Sequence, residues 1–251
     1  MNGVKGATYD AIGHGYSARR RSDPRIAAAI ERALRGSSTV LNVGAGTGSY
    51  EPSALDVVAV EPSAVMIAQR PPGSAPCLQG RAESLPFSDG SFDAAMAVLT
   101  THHWTDAATG LREMARVSAS QIVLTWDKRA WDSLWLVRDY FPQIRDLEAD
   151  LAALDEVLEV WPDADVDVVP VPADCVDGFL AAYWQRPDAY LDPAVRSGIS
   201  SFSRLAPDVV QAGLAQLAED LATGRWAERN GDVLHRAERD CGYRLVVQRT
   251  A

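Results

Sequence analysis

Apolar positions fall along this chain in two rhythms. Continuous apolar runs occur at Val40-Leu41, at Val57-Val58-Ala59-Val60, from Phe92 to Leu99 and from Gln121 to Trp126. A strand covered on both sheet faces carries apolar residues without alternation, so these four runs read as parallel strands, and Cys77 to Gly80 fits a further one. Between them the spacing becomes helical. Ile26, Ile30 and Leu34 line one face of a helix that Asp23 caps, Pro24 opens and Gly36 closes. Ser63 caps a helix through Arg70 that Pro71-Pro72 terminates, and Asp106 caps another whose inner face is Ala107, Leu111 and Met114. Strands alternating with helices predict a doubly wound α/β fold.

The rhythm changes after Trp126. Residues 132–163 read as helical, with Leu147, Leu151, Leu154 and Leu158 in an apolar stripe. Glu148, Asp150, Asp155 and Glu156 fall mostly off that stripe, which predicts a packing helix with a solvated acidic face. Val166 to Val171 resembles a strand, Phe179 to Tyr190 is rich in aromatics, and Val210, Leu214, Leu217 and Leu221 face one side of a later helix. Tyr243 to Val247 reads as the last strand. With no internal repeat or low-complexity linker, residues 1–251 read as one domain. Residues 1–130 and 240–251 supply the sheet core, and 131–235 form a mainly helical elaboration after the fifth strand.

The first strand ends in a glycine loop. Gly44, Gly46 and Gly48 follow G-x-G-x-G, and Ser49 stands where a dinucleotide site has its third glycine, so a pyrophosphate cradle is disfavoured. Glycine lets the backbone turn sharply and lets a ligand approach. Ala45 to Asp56 is a twelve-residue crossover, near the minimum for parallel strands, so any helix in it is short and starts near Pro52. Amides of such a turn would favour a carboxylate or another anion. Glu61 ends the second strand 17 residues after Gly44. A carboxylate there can accept hydrogen bonds from both hydroxyls of a ribose.

Composition removes several alternatives. The chain has 24 Lys and Arg against 34 Asp and Glu, a net charge of −10, which argues against unspecific binding to nucleic acid or to an anionic membrane. Cys77, Cys175 and Cys241 show no metal-type spacing and read as reduced thiols. No metal site is expected. The start of the chain lacks an apolar signal core, and no stretch approaches the roughly 18 apolar residues of a membrane span, so a cytoplasmic protein is expected.

Three blocks together carry a resemblance: Val40-Leu41-Asn42-Val43-Gly44-Ala45-Gly46-Thr47-Gly48, Val58-Ala59-Val60-Glu61-Pro62-Ser63, and residues 82–93 around Leu85-Pro86-Phe87. Over about residues 38 to 127 the chain resembles the class I S-adenosylmethionine-dependent methyltransferases of the small-molecule type, the methyltransferase type 11 group. The resemblance implies a Rossmann-like seven-stranded sheet with the last strand antiparallel near one edge, and S-adenosyl-L-methionine as cofactor. It also implies roles. Gly44, Ala45, Gly46, Thr47 and Gly48 would pass under the methionyl part, and Glu61 would hold the ribose. Pro62 and Met66 would lie along adenosine, and Ala82 would offer its amide to the adenine edge. Leu99 and Thr100 would face the amino-acid end, and Tyr16 with Arg19 or Arg20 would close over the cofactor carboxylate.

Two positions depart from that pattern. Asn42 replaces an acidic residue common in the first strand, and Arg81 stands where many relatives have an Asp toward adenine, leaving that contact to Glu83 or a backbone group. For the reaction, alignment of the acceptor matters most. His102 and His103 at the exit of the fourth strand are candidate bases, with His14 beside Tyr9 a second option. Tyr183, Trp184, Tyr190, Trp131 and Trp135 could wall an acceptor pocket under the elaboration, implying a small apolar or aromatic methyl acceptor. The protein is expected to act as a monomer or homodimer. The competing reading keeps the fold and the cofactor but not the transfer, as in a cyclase, a decarboxylase or a non-catalytic partner protein.

Overall fold

A computed structural model of the chain describes residues 21–249. The strands are β1 (Thr39–Val43), β2 (Asp56–Glu61), β3 (Cys77–Gln79), β4 (Phe92–Val98), β5 (Ser118–Trp126), β6 (Asp165–Val168), β7 (Val171–Pro172), β8 (Glu238–Arg239) and β9 (Tyr243–Arg249). Seven of them form one sheet in the order β3-β2-β1-β4-β5-β9-β6. β1 to β5 pair in parallel, and β9 runs antiparallel between β5 and β6. The order reverses between β1 and β4, and their carboxyl ends are where ligands of open α/β sheets settle.

The apolar runs are continuous because both faces are covered. Val40, Ala94, Met96, Ile122 and Leu124 join one buried cluster, while Leu41, Val43, Ala95, Ala97 and Val123 join the other. The helix Pro24–Ala33 buries Ile26 and Ile30 on the first face, and the helix Ala107–Val117 buries Leu111, Met114 and Val117 on the second. The expected caps are present. Asp23 accepts from the Arg25 amide, Ser63 from that of Met66 and Asp106 from that of Thr109.

Three expectations change. The crossover after the glycine loop contains no helix; residues 44–55 run as turns, with Gly44, Gly46, Gly48 and even Tyr50 at positive φ, which a helix excludes. The glycine loop therefore does not lead into a helix terminus. Residues 132–163 are not one helical stripe. Pro142, which has no amide proton to donate, separates a turn at Leu136–Tyr140 from the helix Gln143–Glu148, and a second break precedes the helix Leu154–Val160. Leu147 and Leu151 pack on one face of the sheet and Leu154 and Leu158 on the other, so this segment passes over the carboxyl end of β4, where the Thr101 hydroxyl donates to the Ala152 carbonyl at 3.4 Å. Finally, the strand expected over Val166 to Val171 is split. β6 is the sheet edge, with Asp165 and Asp167 alternating with two valines, and β7 pairs with β8 in a separate ribbon. Acidic side chains on an open edge discourage pairing with a second sheet.

Among the described residues, no helix is long and apolar enough to cross a membrane, and no group of three or more His, Cys, Asp and Glu side chains could hold a metal ion. The three cysteines are free thiols. Burial pushes the Cys175 and Cys241 thiols up to about 12, which keeps them protonated.

Candidate functional site

The carboxyl ends of β1, β2 and β4 open into a cleft with about 970 Å³ of empty space, solvent at its mouth included. Its floor is the glycine loop. Gly44, Ala45, Gly46 and Thr47 line it, with Ser49 beyond, and Gly44 sits at φ +69° directly against Thr100, so a Cβ there would collide with the Thr100 side chain. Positive φ and close approach together require glycine at this position. Gly48 is not among the residues walling the cleft. It lies at φ +92° against the Arg70 guanidinium, which a Cβ would approach to 3.2 Å at Nη1.

Glu61 lines the same cleft and is 6% exposed. Its Oε2 accepts from the Gly46 amide at 2.8 Å and its Oε1 from the Ser63 amide at 2.9 Å, so the loop and the start of the next helix fix the carboxylate. Pro62, Met66, Ala82, Glu83, Leu99 and Thr100 also line the cleft. Glu83 also ties down the opposite rim, because its Oε1 accepts from the amides of Thr105 and Asp106 at 2.7 and 3.1 Å. Arg81 lines the cleft from an exposed position.

Behind the loop is a clip that the sequence does not announce. Asn42, 2% exposed, donates from Nδ2 to Glu51 Oε1 at 3.0 Å. Arg70 Nη2 reaches both Glu51 oxygens at 2.8 Å and the Ala75 carbonyl at 3.0 Å. The side chains of Arg70 and Glu51 are 6% and 10% exposed. A carboxylate beside position 42 is thus supplied by Glu51, from the turn after the loop. No motif marks it, because the partners lie nine and nineteen residues apart.

The exit of β4 also has an uncommon backbone conformation. Leu99 adopts φ +50°, uncommon outside glycine, while its amide donates to the Leu124 carbonyl at 2.8 Å. A short turn, Thr101–His103, follows and brings the two imidazoles to 3.6 Å between ring centroids. His103 lines the glycine-loop cleft. It also lines a second cleft, of about 540 Å³ with its open mouth, together with His102, Trp126, Trp131, Glu148, Phe179, Ser201 and Tyr243. Leu99 and His103 are the residues that the two clefts share.

The expected aromatic wall is only partly there. Trp131 lines the second cleft, but Trp135, Trp184 and Tyr190 are fully buried, and Tyr183 packs on Tyr190 at 5.7 Å. Trp135 Nε1 donates to the Trp184 carbonyl at 2.7 Å, Trp184 Nε1 to that of Val171 at 3.0 Å, and the Tyr190 hydroxyl to that of Leu180 at 2.7 Å. Each polar handle is satisfied inside the elaboration, so these rings are its core. In their place the cleft uses Trp126, Phe179 and Tyr243. His14, Tyr16 and Arg20, with Tyr9 and Arg19, lie outside the described residues.

A family profile described as a methyltransferase domain matches residues 41–122, the segment that builds the first cleft. A Bacillus subtilis sequence, the uncharacterized methyltransferase YcgJ, is 32% identical over 94 residues; the match covers 33% of this chain and 37% of that one, so the chain spans little more than a third of this curated relative. A solved structure from Anabaena variabilis, described as a candidate methyltransferase from an antibiotic biosynthesis pathway, is 35% identical with a TM-score of 0.84, covering 92% of this chain and 99% of that one. The cyclase SpnF has the same fold at 15% identity and a TM-score of 0.54, covering 100% of this chain and 97% of that one.

Proposed function

Because the chain belongs to the class I S-adenosylmethionine-dependent methyltransferases, we propose that it transfers a methyl group to a small apolar or aromatic molecule seated in the second cleft. One observation carries the reading: the two clefts meet at Leu99 and His103, at the carboxyl end of β4. A donor in one and an acceptor in the other would face each other across those two residues.

The first cleft suits S-adenosylmethionine. Glu61, held by the Gly46 and Ser63 amides, presents a carboxylate for the ribose hydroxyls. Gly44 and Gly46 leave the floor without side chains where the amino-acid end would lie, and Met66 and Ala82 supply apolar surface for the adenine ring. When bound, the cofactor supplies a methyl group already activated on a sulfonium, so alignment is the main task left to the protein.

The protein's own contribution is positional. Leu99, fixed at positive φ by its bond to Leu124, holds the wall between the clefts. His103 faces both clefts and is the candidate to accept a proton from the acceptor; His102, packed edge-on to Trp126 at 4.7 Å, keeps the pair in place. A base contributes about 10²–10⁴-fold where the acceptor is poorly ionised. Incubation with methyl-labelled S-adenosylmethionine and a panel of small aromatic acceptors tests the transfer. Label in a small-molecule product supports it; cofactor binding without labelled product from any acceptor favours the reading in which the cofactor is held but not used for transfer.

A further inference from the structure

The second cleft contains one group that its apolar walls do not explain. Glu148 is 6% exposed, although its place in the sequence suggests a solvated helix face. Trp131 Nε1 donates to its Oε2 at 2.9 Å and the Ser201 hydroxyl to its Oε1 at 2.6 Å, and all three residues line the cleft. Each carboxylate oxygen thus receives a donor, an arrangement that fits the ionised form, which only accepts. A buried carboxylate is costly without a countercharge. Among the described residues Glu148 forms no ion pair. The nearby cations are engaged elsewhere: Lys128 Nζ sits 2.7 Å from Glu156 and 2.9 Å from the Ala149 carbonyl, and Arg204 donates to the Leu147 carbonyl. Burial accordingly raises the Glu148 carboxyl above the ordinary range, with the Ser201 and Trp131 hydrogen bonds, and after them the charges of Arg204 and Lys128, opposing that rise without cancelling it.

We propose that Glu148 is the specificity residue of this cleft and selects a small amine, bound as its ammonium on an otherwise apolar skeleton. The carboxylate supplies the charge partner, and the faces of Trp126, Trp131, Phe179 and Tyr243 supply the surface on which a cation and its hydrocarbon rest. The proposal rests on the reading of the second cleft as the acceptor site. It narrows that reading from an apolar molecule to one with a basic nitrogen.

The test is calorimetry on the full chain saturated with S-adenosylhomocysteine, using 2-phenylethylamine and its neutral counterpart 2-phenylethanol as probes. The amine is expected to bind the wild type at least about tenfold more tightly than the alcohol. Glu148→Gln is expected to bring the two within about twofold while leaving S-adenosylhomocysteine affinity unchanged, since Glu148 does not line the first cleft. Leu151→Lys, one turn along and in the same cleft, places an ammonium of the chain's own beside the carboxylate and is expected to abolish the preference even if Glu148→Gln does not fold. Equal affinity of the two probes for the wild type, no binding of either, or a preference that survives both substitutions overturns the proposal. Failure of S-adenosylhomocysteine to bind, with the amine preference intact, instead overturns the methyltransferase reading.

Discussion

Placing an acid at position 42 is expected to damage this protein. In Asn42→Asp the new carboxylate meets Glu51 Oε1, the atom now 3.0 Å from Asn42 Nδ2, in a site where Asn42 is 2% exposed. Two unit charges roughly 3 Å apart at an effective dielectric of about 20 repel by about 5–6 kcal/mol, part of which the Arg70 guanidinium offsets. The alternative is for the introduced aspartate to keep its proton and donate it to Glu51. At pH 7 that costs at most about 4 kcal/mol, the roughly three pH units separating neutrality from an ordinary Asp at about 1.36 kcal/mol each. A destabilisation of about 2–4 kcal/mol near neutrality is therefore expected. The folded variant binds a proton that the unfolded chain releases above about pH 4, so its deficit grows as pH rises and shrinks as pH falls toward about 4. Urea unfolding of both proteins at about pH 5 and about pH 8 measures this. Equal stability at the higher pH, or tighter cofactor binding by the variant, would refute the role given to the Asn42–Glu51–Arg70 clip.

Other substitutions test other contacts. Gly44→Ala is expected to cost about 1–3 kcal/mol and to weaken cofactor binding, because it combines positive φ with a collision at Thr100; Gly36→Ala, at φ +91° with nothing within 4 Å of the new Cβ, should carry only the backbone strain and leave the cofactor alone. Asp23 is fully buried; burial raises its carboxyl, but hydrogen bonds from the Arg25 side chain and from the Arg25 and Val176 amides more than offset this and hold it at about 2. Its folded pKa lies below the unfolded one, so its stabilisation is present above about pH 4 and is lost as pH falls toward about 2. Asp23→Asn should be less stable than the wild type at about pH 6 by urea unfolding, with the gap closing across that window. For Glu148 the sign is opposite. Its raised carboxyl makes ionisation unfavourable to folding, so the stability of Glu148→Gln relative to the wild type should improve as pH rises above the ordinary Glu range.

Much of the sheet is legible in the sequence because its signals are local. β1, β2, β4 and β5 are runs of residues suited to burial on both faces, and the caps at Asp23, Ser63 and Asp106 bond within three residues of themselves. The glycine loop and Glu61 are equally local, each at the end of a strand. The clip of Asn42, Glu51 and Arg70 and the cleft around Glu148 are not. An apolar stripe says which side of a helix is covered, but not that the segment breaks at Pro142 and again before Leu154, and that break is what carries Glu148 from an expected solvent face to the mouth of β4. The aromatics fail as pocket markers for a related reason. Trp135, Trp184 and Tyr190 find carbonyls inside their own elaboration, so large rings with satisfied polar atoms became core, and Trp126, at the end of a strand, became wall.

The claim on which the rest depends is that the glycine-loop cleft holds the cofactor through Glu61. Calorimetric titration of the full chain with S-adenosylhomocysteine addresses it directly, with Glu61→Gln as the paired variant. One saturable site on the wild type, weakened at least about tenfold in a Glu61→Gln protein that still unfolds cooperatively, is the predicted result. A folded wild type that takes up neither S-adenosylhomocysteine nor S-adenosylmethionine, or a Glu61→Gln variant that binds as tightly as the wild type, would contradict it.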